Sequence, residues 1–205
     1  MEYEELASAE IVNKTTKALK GKGYEVFVVK SGKEALEKIK EIIPEGTSVI
    51  NGSSTTLTQI GYDDYLKSGR HKWDDLLGSV HAENDKDKRK ELRRQSALSD
   101  FYLGSVHALV ETGEFVIASN TGSQMPHIVY TSPNLIFVVS TKKIAANLDE
   151  GMKRLKEHVY PLEEKDMMSL YNTHTAINKI IIFNGEATSS TRKIRFILVE
   201  ENLGF

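Results

Sequence analysis

Apolar positions along the chain fall into two rhythms. Leu135-Ile136-Phe137-Val138-Val139 is a near-continuous apolar run, the pattern of a strand buried on both faces at the centre of a parallel sheet. Tyr24 to Val29, Thr47 to Ile50, Lys179 to Phe183 and Arg192 to Val199 are short runs rich in β-branched and aromatic residues, and they read as further strands. Val106 to Val110 and Phe115 to Ala118 flank Glu111-Thr112-Gly113-Glu114, which predicts a hairpin. Elsewhere the apolar period lengthens to that of a helix. Leu6, Ile11, Val12, Ala18 and Leu19 mark a helix from about Glu4 to Lys20, closed by Gly21-Lys22-Gly23. Ser31 and Glu34 stand at capping-box spacing ahead of Ala35, Leu36, Ile39, Ile42 and Ile43. Pro44-Glu45-Gly46 is a turn, and Leu57 to Gly61 can open a helix.

The mixed charge run from Asp85 to Arg94 predicts a solvated helix. Its apolar continuation, Leu98, Phe101, Tyr102 and Leu103, is expected to dock that helix on the sheet. Asn147 caps a segment in which Leu148, Met152, Leu155 and Val159 recur at helical spacing. Pro161 is expected to stop it, with another helix from Glu163 to Tyr171. Trp73 reads as a packing residue, and His71 and His81 as surface or packing positions.

Strands alternating with helices imply an α/β fold with parallel pairing and right-handed crossovers, here over a single domain, residues 1–205. Ligands in such sheets gather at the carboxyl ends of the strands. Two clusters of small polar residues fall at such ends. Asn51-Gly52-Ser53-Ser54-Thr55-Thr56 follows the Thr47 to Ile50 strand, and Ser119-Asn120-Thr121-Gly122-Ser123-Gln124 follows the hairpin. Gly52 would let backbone approach a ligand, and the hydroxyls beside it suit a phosphate, a carboxylate or an oxyanion. An ordinary Ser/Thr cap on a buried helix accounts for the same residues. His127 is close enough in sequence to line the second cluster's pocket, or to be a buried, hydrogen-bonded histidine.

Composition narrows the chemistry. The 205 residues carry 27 basic and 29 acidic side chains, so a general nucleic-acid binder is not expected. With no cysteine, the chain can form neither a disulfide nor a cysteine-ligated zinc or iron–sulfur site. Asp63, Asp64, Asp74 and Asp75 lack a spacing that would gather them on a metal, so no metal site is expected. No apolar run reaches the ~18 residues of a membrane span, and the acidic opening lacks a signal core. A cytoplasmic protein is the expectation.

Phe101 to Ala108, Glu111 to Glu114, Ser119 to Gln124, Phe137 to Ile144, Asn178 to Phe183 and Val199 to Phe205, with the Gly52 to Thr56 loop, together resemble the LUD-domain family, the lactate utilisation proteins of bacteria. The resemblance spans nearly the whole chain. It implies a three-layer α/β sandwich with a mainly parallel sheet, related to CoA transferases, ribose-5-phosphate isomerase and glucosamine-6-phosphate deaminase. It also implies a role in oxidising lactate to pyruvate beside iron–sulfur partner subunits. Longer members carry cysteine-rich segments that this chain lacks, so it resembles the short, single-domain kind.

Three functions follow as alternatives. The chain is a non-redox component of hydroxy-acid metabolism that binds a small organic acid or other anion and holds no cofactor of its own. In that reading Gly52, Ser53, Ser54, Thr55, Thr56, Asn120, Thr121, Gly122, Ser123 and Lys143 form the ligand site. Alternatively it is an enzyme of the CoA-transferase or isomerase type. Glu111-Thr112-Gly113 resembles the Glu-x-Gly turn that carries the nucleophile of class I CoA transferases, which makes Glu111 the catalytic candidate. Glu111 is otherwise only a hairpin-turn residue. The third alternative is a regulatory ligand-binding module. Self-association into a homo-oligomer is left open by the sequence.

Overall fold

The computed structural model describes residues 3–205; Met1 and Glu2, the start of the acidic opening, lie outside them. Two sheets carry the architecture. The larger is six-stranded and wholly parallel, in the order β1-β10-β7-β4-β2-β3. Its strands are β1 (Glu25–Val29), β2 (Ser48–Asn51), β3 (Asp74–Asp75), β4 (Phe101–Gly104), β7 (Asn134–Ser140) and β10 (Lys193–Val199). The smaller sheet has the order β8-β5-β6-β9, from β5 (Ala108–Val110), β6 (Phe115–Ser119), β8 (Ile144–Ala145) and β9 (Lys179–Phe183). Strands β5 and β6 form the expected antiparallel hairpin.

The alternation of side chains along each strand divides the core. Leu135, Phe137 and Val139 of β7 join Ile194, Phe196 and Leu198 of β10 on one face. There they meet Leu109, Phe115, Ile117 and Phe183 of the small sheet. Phe115 sits 5.2 Å from Phe137, 5.4 Å from Phe196 and 4.8 Å from Phe183, ring centre to ring centre. Ile136 and Val138 of β7 face the other way. They pack with α2 (Gly32–Ile42), α3 (Thr55–Gln59) and α4 (Tyr62–Lys67) through Ala35, Ile39, Leu57 and Tyr62. Burial on both faces is why β7 reads as a continuous apolar run. The layers are therefore helices, parallel sheet, and a third layer in which α1 (Ala9–Gly21) and α5 (Leu76–Ala82) flank the small sheet. A further cluster on the small sheet's outer face joins Ala108 and Val116 to the helical segment at Leu155 and Val159.

Local chemistry moves several boundaries. Helix α1 begins at Ala9, not near Glu4, because the Ser8 hydroxyl caps it by accepting from Ile11 N–H. Glu4 is drawn instead to the Lys142 ammonium at 2.9 Å. Ser31 caps α2 as expected, while Glu34 accepts from Lys30 N–H, one residue earlier than the capping box predicts. The solvated helix is α6 (Lys86–Gln95), with no buried residue, and it stops before the apolar positions that were expected to extend it. Leu98 lies in a short 3₁₀ turn at 78% exposure, and Phe101 to Leu103 belong to β4. Pairing with β2 on one side and β7 on the other outweighs the helical continuation.

Pro161 does not end the helix either. After α7 (Leu148–Arg154) the chain takes one π turn, Leu155–Val159, and continues as α8 (Tyr160–Tyr171). Pro161 is the second residue of α8, directly after the π turn. Trp73 is buried and its indole donates to the Ile43 carbonyl. Asp75 caps α5 and Asp63 accepts from the Thr58 hydroxyl. No helix among the described residues is long and apolar enough to cross a membrane.

The aromatic contact between the sheets yields a prediction. Phe137→Ala is expected to cost about 3–5 kcal/mol, the range for an aromatic removed from a packed core. Urea unfolding followed by circular dichroism measures it. A loss under about 1 kcal/mol would mean that the two sheets are not held together through this ring.

Candidate functional site

The carboxyl ends of β2, β4 and β7 lie along one edge of the parallel sheet. Each delivers polar residues to a single cavity of about 280 Å³. After β2 come Gly52 to Thr56, after β4 comes Ser105, and after β7 a 3₁₀ turn places Lys143. The small sheet supplies the opposite wall, with His107 ahead of β5 and Asn120, Thr121 and Ser123 after β6. Both small-residue clusters and Lys143 thus meet on one cavity. Among the ligand-site residues expected from sequence, only Gly122 does not line it. Gly122 takes φ +84° to make the loop's turn, and the Lys179 side chain packs against it.

The loops are held by their own hydrogen bonds. Ser54 caps α3 by accepting from Leu57 N–H. Ser119 accepts from Gly122 N–H, and Thr121 accepts from Ser123 N–H. Gln124 joins the clusters: its Nε2 donates to the Ala118 carbonyl, and its Oε1 accepts from the Tyr102 hydroxyl at 3.1 Å. Gly52 sits under this link. A Cβ there would lie 2.6 Å from Gln124 Oε1 and 2.7 Å from the Tyr102 hydroxyl. These side chains fill the Cβ direction at Gly52, while Gly52 itself lines the cavity.

Lys143 dominates the polar end. The residue is buried at 4% exposure, and its Nζ donates to Thr56 Oγ1 at 3.0 Å and Ser105 Oγ at 3.2 Å. No carboxylate joins them among the described residues. Glu4 is engaged by Lys142 and His158. Burial, then the Arg154 and Lys142 cations, hold the Lys143 pKa well below the ordinary lysine value. Arg154 itself is buried, with Nη1 donating to the His107 carbonyl and with Nε and Nη2 unpartnered.

His107 carries a defined tautomer. Its Nδ1 accepts from Ala118 N–H at 3.1 Å, so the ring's proton is on Nε2 and the imidazole is neutral. Burial, with Lys143 and Arg154 close by, lowers its pKa to about 3. Apolar side chains of Leu155, Val159, Met167, Ile177 and Phe205 line much of the rest, with Tyr160, Thr175 and one carboxyl group, Glu163. Burial and the nearby Asp166 raise the Glu163 pKa.

His127 is buried outside the cavity, stacked 5.5 Å from Tyr102 and in contact with Ser132. Glu111 is in the turn that follows β5, the far end of the hairpin from the cavity, paired with Lys14 at 2.6 Å. His107, Ser105, Tyr102 and Glu163 were not among the ligand-site candidates from sequence, and Gln124 was read only as the end of the second cluster. His107 was the legible one, a lone titratable residue interrupting an apolar run.

The link under Gly52 gives a test. Gly52→Val is expected to destabilise the fold by about 1–3 kcal/mol, the cost of overpacking. Gly52→Ala should fall between it and the native chain. A series of urea midpoints reads the effect; a valine variant as stable as the native protein would show that Gln124 and Tyr102 are free to move aside.

The LUD domain family matches residues 12–203. A DUF162 family protein from Deinococcus radiodurans has a similar solved structure, with TM-score 0.59 and 13% identity over 95% of this chain and 99% of that one. At that identity the likeness shows a shared fold. No curated protein matches the chain.

Proposed function

Because the chain belongs to the LUD-domain family, associated with lactate utilisation, we propose that it is a non-redox component of hydroxy-acid metabolism that holds a small organic acid in this cavity. One observation carries the reading: Lys143 is a buried amine with hydroxyl partners and no carboxylate among the described residues. A carboxylate ligand would supply the missing charge, and the hydroxyls of Thr56 and Ser105 and the Nε2–H of His107 would complete its hydrogen bonds. The apolar wall of Leu155, Val159 and Met167 would cover a short carbon chain. A volume of about 280 Å³ is ample for a few-carbon acid.

Oxidising a hydroxy acid removes two electrons, and side chains other than cysteine are poor reversible carriers. This chain has no cysteine and no G-x-G-x-x-G after any strand. The proposal therefore gives the electrons to cluster-bearing partner subunits. On the isolated chain a lactate-to-dye assay is expected to show no turnover. Turnover without partners would make the protein an oxidoreductase in its own right. Glu111, outside the cavity, has no part in this reading; a transferase role for it would require a second site.

The sign of the pH dependence follows from Lys143. Its pKa is lowered in the empty cavity, and a bound anion favours the charged form and raises it. Binding must then take up a proton, and affinity must rise as pH falls between the bound and free values. Calorimetry of lactate binding in buffers of different ionisation enthalpy measures that uptake. Lys143→Met is expected to weaken binding roughly tenfold or more, the scale of a charged hydrogen bond at about 1.5–3 kcal/mol. Binding with no proton uptake, or no loss in Lys143→Met, would remove Lys143 from the site.

A further inference from the structure

A buried lysine amine does more than attract anions. Three features of Lys143 bear on its reactivity. It has no carboxylate to hold it as an ammonium, its Nζ is set between two hydroxyl oxygens, and it lines a cavity whose far wall is apolar. The titratable groups around it come from several elements: the cations Arg154 on α7 and Lys142 beside it in the chain, and neutral His107 ahead of β5. The carboxyl of Glu163 on α8 lines the same cavity. Desolvation among other cations is how a lysine is kept as the free amine, the form that attacks carbonyl carbon.

We propose that Lys143 forms a covalent imine with the ketone of a 2-oxo acid bound in this cavity. The inference rests on the reading of the cavity as an organic-acid site. The substrate class follows from the lining. The amine requires a carbonyl, the loop hydroxyls and His107 suit a carboxylate, and the apolar wall suits an alkyl group.

The step balances without an external oxidant or reductant. The Lys143 nitrogen lone pair attacks the ketone carbon, and the C=O pair moves to oxygen. A proton passes from nitrogen to that oxygen, giving the carbinolamine. The second N–H proton and the hydroxyl leave as water while the C=N bond forms. The hydroxyls of Thr56 and Ser105, both hydrogen-bonded to Nζ, are placed to relay these protons. Uptake of one further proton from solvent gives a protonated imine next to the substrate carboxylate, the charge pairing that the empty site lacks.

The full-length chain is incubated with pyruvate and then with sodium borohydride, which reduces an imine to a stable secondary amine. Intact mass spectrometry is expected to show a gain equal to the acid less one oxygen atom, and peptide mapping should place it on Lys143. Lactate, which has no ketone, should give no adduct. Lys143→Arg should lose the adduct while retaining the native melting curve, and mapping of the native chain keeps the test independent of that variant's folding. Pyruvate that binds by calorimetry without being trapped would overturn the imine and leave the organic-acid reading standing. Failure of both lactate and pyruvate to bind would overturn both. An adduct spread over surface lysines, with Lys143 unmarked, would also overturn the imine.

Discussion

The contact between the two sheets fixes the relation of every functional part. The rings of Phe115, Phe137, Phe183 and Phe196 join the hairpin and β9 to the face of the parallel sheet. The alternation in β7 and β10 makes that possible, since one set of side chains meets the small sheet and the other meets helices. With the hairpin seated there, the residues before β5 and after β6 come to the edge where β2, β4 and β7 end. The cavity is the gap left between the rims of two sheets. Neither sheet alone forms it.

Electrostatics at that rim are unbalanced. Arg154 and Lys142 lie close enough to Lys143 to lower its pKa further than burial does, and Glu4 is spent on Lys142 and His158. Lys143 is left with hydroxyl oxygens and His107 is held neutral by a backbone N–H. Folded proteins rarely leave a buried charge unpaired, because its desolvation is not recovered. Such an arrangement is stable when the group gives up its proton or when a ligand completes it. Both the organic-acid reading and the imine draw on this one imbalance.

Much of the fold was legible because burial on two faces leaves a mark in sequence. The run Leu135 to Val139, the hairpin and the caps at Ser31, Ser54 and Asn147 follow from local chemistry. What failed depended on partners distant in sequence. Phe101 to Leu103 read as a helix face, and only pairing with β2 and β7 makes them a strand. The second sheet was not legible because β9 finds β6 about 60 residues away. Pro161 misled because a π turn carries the helix up to it. At the site, the small-residue loops and Lys143 stood out by composition. The role of Gly52 did not, since nothing local shows that Gln124 and Tyr102 fill the space beside it.

The state of Lys143 is the claim on which the rest turns. Carbon-13 labelling at lysine Cε, with the Lys143 signal assigned from Lys143→Arg, follows its titration by NMR in the empty and lactate-bound protein. The account predicts that Lys143 titrates well below the other lysines when the cavity is empty, and that lactate moves its midpoint upward. A Lys143 signal that titrates with the surface lysines and ignores lactate would contradict it.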